Sequence, residues 1–65
     1  MKYGDLFRIL RRNGWLDVRQ SGSHVILRHP GKPQQLVVPR LAGKEVTKGL
    51  LQAILRQAGI KVNQR

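Results

Sequence analysis

Apolar side chains open the chain at Tyr3, Leu6, Phe7 and Leu10, spaced i, i+3, i+4 and i+7, with Arg8, Arg11 and Arg12 falling between them. That period predicts an amphipathic helix over residues 2–13. Asp5 near its start and the arginines near its end suit the helix dipole, and Asn13-Gly14 supplies a left-handed stop. The pattern then shortens. Residues 15–20, with Trp15, Leu16 and Val18, predict a first strand that ends in a tight turn at Ser21-Gly22. Residues 23–29, carrying Val25, Ile26 and Leu27, predict a second strand, stopped by Pro30-Gly31-Lys32-Pro33. Residues 35–39, with Leu36, Val37 and Val38, predict a third. After an aperiodic stretch at residues 40–44, Val46, Leu50, Ala53, Ile54 and Ala58 mark one face of a second helix, widened by Leu51 and Leu55. Gly59 ends it, and Ile60 folds back on the last turn as in a Schellman cap.

Two short hairpins in sequence give an antiparallel sheet in chain order. With two amphipathic helices and a sheet too small to be covered twice, both helices are expected on one sheet face, the other staying open. The predicted class is therefore α+β, with the order α-β-β-β-α, a three-stranded antiparallel sheet and the layout of a double-stranded RNA-binding domain. Residues 1–60 make a single domain, and residues 61–65 are expected to be a frayed tail.

Charge narrows the function. The 65 residues include 13 Lys and Arg against three acids, a formal charge of +10. That exceeds the charge of magnitude about 2–8 that solubility asks of a small domain. A body so basic attracts phosphate polymers or an acidic protein. The lack of cysteine excludes disulfides and thiolate metal sites, and the two histidines and three acids are too scattered for a zinc cage, so no metal or cofactor is expected. No apolar run is long enough to span a bilayer, and the start of the chain enters an amphipathic pattern rather than a signal-peptide core, which predicts a cytoplasmic protein.

Candidate chemistry centres on His24, in Gly22-Ser23-His24-Val25. An imidazole exchanges protons near neutral pH and can serve one proton step in cleaving RNA at a ribose 2′-hydroxyl. Alternation places His24, Ile26 and Arg28 on one face of the second strand and Val25, Leu27 and His29 on the other, with Val25 and Leu27 expected inside. Arg28, Lys32, Arg40 and Lys44 are candidates for holding RNA phosphates. Gly22 and Ser23 form the turn that positions His24, Gly22 supplying a positive φ. Adjacent strand residues point apart, so Ser23 is a turn residue rather than a nucleophile paired with His24. His29, on the opposite face, is a poor second proton carrier. Trp15 and Tyr3 are expected in the core rather than stacked on bases.

The run Asn13-Gly14-Trp15, the strand Val18-Arg19-Gln20, Gly22-Ser23-His24, Arg28-His29-Pro30-Gly31-Lys32-Pro33, Val37-Val38-Pro39 with its basic loop, and the ending Ala53-Ile54-Leu55-Arg56-Gln57-Ala58-Gly59-Ile60 together resemble the HicA toxins of bacterial type II toxin-antitoxin modules. The likeness spans nearly all of residues 1–60. It implies a double-stranded RNA-binding-like fold, mRNA cleavage that arrests translation, a catalytic histidine at His24, and a cognate HicB antitoxin that covers the active surface of a toxin monomeric when free. Two positions depart from the family pattern. Val25 stands where many relatives carry a second histidine, so a doubled-histidine mechanism is not invoked, and Gly49-Leu50 replaces a common Gly-Thr pair. Two alternatives compete with the ribonuclease reading: a module of this fold that binds RNA without cutting it, and a protein-interaction piece for an acidic partner.

Overall fold

The computed structural model describes residues 1–41 and 43–61. Helix α1 runs Tyr3–Arg12, strand β1 Leu16–Ser21, β2 His24–Arg28, β3 Leu36–Pro39 and helix α2 Lys48–Ala58. The predicted order is observed; β1 keeps its predicted length but starts one residue later, and the other elements are a residue or two shorter than their sequence patterns. The sheet is antiparallel in the order β1-β2-β3.

Burial settles which face of β2 turns inward. Val25 and Leu27 are buried with Leu36 and Val38 of β3, whereas His24 and Arg28 are exposed and Ile26 is half-buried. Tyr3, Leu6, Phe7 and Leu10 of α1 and Ile54, Leu55 and Ala58 of α2 join the same cluster, so both helices cover one face and leave the other open. Trp15, just before β1, is fully buried and lends its indole N–H to Ala58 O at 3.4 Å. All three aromatic residues are thus core residues, as expected.

Three details differ from the periodic reading. Val46 is buried, but it precedes α2: Thr47 is the N-cap, its hydroxyl accepting from Leu50 N at 3.3 Å, so Gly49 lies in the first turn, where glycine is less costly than in a helix interior. Ala53, placed on the apolar face by spacing, is exposed. In β1, Leu16 is 59% exposed because it lies opposite Arg28 on the open face, and Val18 is 54% exposed at a bulge between Asp17 and Arg19 that interrupts alternation. Of the expected tail, Lys61 is exposed, and residues 62–65 lie outside the described residues.

The turn from α1 into β1 rests on a close approach. Gly14 adopts φ +96°, and a Cβ there would lie 2.6 Å from Nε2 of His29. Gly14→Ala combines a disfavoured φ with that clash and is expected to lower unfolding stability by about 1–3 kcal/mol. Urea denaturation checks this against Gly4→Ala, where nothing stands within 4 Å of the added carbon and no loss is expected.

An ion pair ties α1 to β1: Arg11 donates to both carboxylate oxygens of Asp17, at 3.3 and 2.9 Å. The hydrogen bond from Arg11, more than its charge, holds the Asp17 carboxyl below its ordinary range, and Arg40 adds to the same direction. A carboxyl lowered by folding contributes stability above the unfolded pKa, near 4, and loses it as pH falls further. Asp17→Asn should therefore flatten the decline in unfolding free energy between about pH 4 and pH 2, as acid titration of both proteins would reveal.

Candidate active site

The β1–β2 hairpin closes through Gly22-Ser23, between paired Ser21 and His24. Gly22 has φ +60° and Ser23 does not have a positive φ, the pattern of a type II′ turn, which matches the twist of the strands it joins. Gln20 Nε2 donates to Gly22 O at 3.1 Å, and Arg40 N donates to Ser23 O at 2.6 Å, so the turn is braced from β1 and from the end of β3. His24 is the first residue after it, on the central strand, flanked by Ser21 and Pro39. Its ring is exposed, and among the described residues it makes no hydrogen bond or ion pair. A fixed backbone thus presents a solvent-facing imidazole.

Cross-strand partners share a face, which fixes the rest of the open surface. Ser21, His24 and Pro39 form one row; Arg19, Ile26 and Val37 the next; Leu16 and Arg28 the third. Arg28 donates weakly to Pro33 O at 3.3 Å, leaving its other N–H groups toward solvent.

The remaining candidates are placed elsewhere. The guanidinium of Arg40 lies 5.3 Å from the ring centroid of Phe7, on the helix-covered side. Lys32 is half-buried with its ammonium against Gly59, the left-handed cap of α2, where a Cβ would lie 2.9 Å away; a cation there faces the negative end of the helix dipole. Lys44 is exposed in the loop between β3 and α2, its N–H donating to Leu41 O at 3.1 Å. The structure therefore brings Arg28 to the face of His24, places Lys32 and Arg40 off it, and leaves Lys44 in the loop after β3.

His29 is occupied on the opposite side. Gly31 N donates to Nδ1 at 2.8 Å, so Nδ1 is the acceptor and Nε2–H donates to Asn13 O at 3.0 Å. The ring meets Trp15 edge-on at 5.3 Å between centroids. It joins the turn after α1 to the loop after β2. Among the described residues no group of three His, Cys, Asp or Glu could hold a metal ion, and no helix is long and apolar enough to cross a membrane.

Sequence reasoning missed Arg19 on the open face. In unbroken alternation it shares the phase of Trp15, which is buried, and an arginine in phase with a core tryptophan is the one sequence signal of the bulge between them.

A family model described as the HicA toxin of bacterial toxin-antitoxin matches residues 3–60. The chain belongs to the HicA toxin family. A solved structure described as a HicA3 and HicB3 toxin-antitoxin complex contains a chain 35% identical to this HicA-family protein, with a TM-score of 0.77 over 97% of this chain and 100% of that one. Comparison with curated proteins gives no match. The α-β-β-β-α order with both helices on one side of the sheet is thus the architecture of a HicA toxin.

Proposed function

We propose that this HicA-family chain is the toxin of a type II toxin-antitoxin pair, a metal-independent endoribonuclease that cleaves mRNA in the cytoplasm with His24 as its general acid or base. One observation carries the reading: an exposed imidazole, held at the end of a braced type II′ turn, shares an open sheet face with Arg28 in a chain of charge +10. In the reaction the 2′-oxygen attacks phosphorus, the bond from phosphorus to the 5′-oxygen breaks, and the products are a 2′,3′-cyclic phosphate and a 5′-hydroxyl. Neutral His24 takes the 2′-hydroxyl proton, or its imidazolium delivers a proton to the departing 5′-oxygen; the other exchange is with water. Arg28 holds a backbone phosphate.

The antitoxin belongs to the same reading. Leu16 and Val37, 59% and 46% exposed, stand on the His24 face and suit burial by a HicB-type protein, and the positive charge attracts an acidic one. In the solved complex that resembles this chain, the HicA3 protein is found with HicB3.

The test is incubation of purified protein with a defined mRNA in excess chelator, with mapping of fragment ends. Discrete fragments with cyclic phosphate and 5′-hydroxyl ends are expected. RNA that stays intact but shifted in a gel would overturn the reading in favour of a binding module, and RNA neither cut nor shifted would leave only the protein-interaction alternative.

A further inference from the structure

Strand geometry decides which cation can serve the phosphate that reacts beside His24. Arg28 is the fourth residue after His24 on β2, so their Cα atoms are about 13 Å apart at a rise of about 3.3 Å per residue. That separation suits a neighbouring phosphate better than the one in contact with the imidazole. Arg19 is opposite Ile26, the residue midway between them, which makes it the diagonal neighbour of both, with Cβ atoms roughly 7–8 Å away. An arginine stem covers that gap.

Arg19 is also uncommitted. Arg8 is paired with Asp5, Arg11 with Asp17, Arg28 touches Pro33 O and Arg40 covers Phe7, whereas no ion pair among the described residues holds Arg19. Its side chain is exposed. Its face is fixed from the Gly22-Ser23 turn, which pairs Ser21 with His24 and so sets Arg19 opposite Ile26, while the extra residue at Val18 lets Trp15, in the same phase by simple alternation, stay in the core.

Resting on the ribonuclease reading above, we infer that Arg19 binds the scissile phosphate next to His24 and neutralises the charge that builds on its non-bridging oxygens, while Arg28 holds a flanking phosphate. The tight turn aims it, and the bulge at Val18 keeps that register compatible with a buried Trp15.

The experiment compares wild type, Arg19→Ala, Arg19→Lys, Arg28→Ala and a control, Arg12→Ala on the exposed side of α1, each confirmed folded by circular dichroism. Cleavage of a short RNA is measured, together with binding of the same RNA carrying 2′-deoxy sugars, which it cannot cut. Arg19→Ala is expected to lower kcat about 10²–10³-fold, as loss of one transition-state charge donor does, with KM changed little and partial recovery in Arg19→Lys. Arg28→Ala is expected to act mainly on KM. Equal kcat in Arg19→Ala and Arg12→Ala would overturn the inference while leaving the ribonuclease reading intact. If wild type cuts nothing, the ribonuclease reading fails by itself. The deoxy-RNA then judges the phosphate contact: a salt slope lowered by about one in Arg19→Ala but not in Arg12→Ala supports it, and equal slopes reject it.

Discussion

Replacing His24 with alanine should cut the rate of mRNA fragmentation about 10²–10⁴-fold, the range attributable to one positioned proton carrier, and relieve growth arrest on expression. The fold should survive. His24 is exposed, its ring makes no hydrogen bond among the described residues, and the turn before it is held by Gly22, Gln20 and the backbone of Arg40. Binding of 2′-deoxy RNA should stay within about threefold of wild type, because the arginines that hold phosphates remain. A well-folded His24→Ala protein that cuts RNA at the wild-type rate would remove His24 from the chemistry.

Trp15→Ala should act by the opposite route and cost about 3–5 kcal/mol, as truncating a fully buried tryptophan does. At roughly 0.05–0.15 kcal/mol per residue, a chain this short holds about 3–10 kcal/mol in all, so most of its stability goes with the side chain. The loss extends beyond volume. Trp15 bonds Ala58 at the end of α2 and stacks edge-on with His29, which in turn joins Asn13 to Gly31. Thermal melting by circular dichroism is expected to lose its cooperative transition in Trp15→Ala and to keep it in Trp15→Phe. A melting temperature within a few degrees of wild type in the alanine variant would contradict this account. The two substitutions separate the site from its scaffold: one abolishes cutting in a folded protein, the other unfolds it.

Much of this was legible without coordinates, for physical reasons that differ by element. Tyr3, Leu6, Phe7 and Leu10 keep a strict helical period, and the Gly-Pro punctuation around residues 30–33 leaves the strands few alternatives. In β2 each face carries an aliphatic residue, and burial of Val25 and Leu27 follows from the whole sheet rather than from the strand. The bulge at Val18 left only the faint trace of an arginine in phase with Trp15, since a one-residue insertion is a property of two paired strands. For the same reason Arg19 was missed while Arg40 was chosen: sequence adjacency to β3 gave no sign that Phe7 and Asp17 draw its guanidinium to the helix side. Thr47, unremarkable in the sequence, proved to set where α2 begins.

The strand order β1-β2-β3 is also the chain order, so each ladder closes a loop of few residues and costs little chain entropy. Contacts of great sequence separation, such as Trp15 with Ala58 and Lys2 with Glu45, join the two ends of the chain to that sheet's scaffold. The hairpin that carries His24 has the shortest loop of all to close, so the candidate catalytic residue is placed by a contact that costs the chain little entropy and owes nothing to the far end of the sequence.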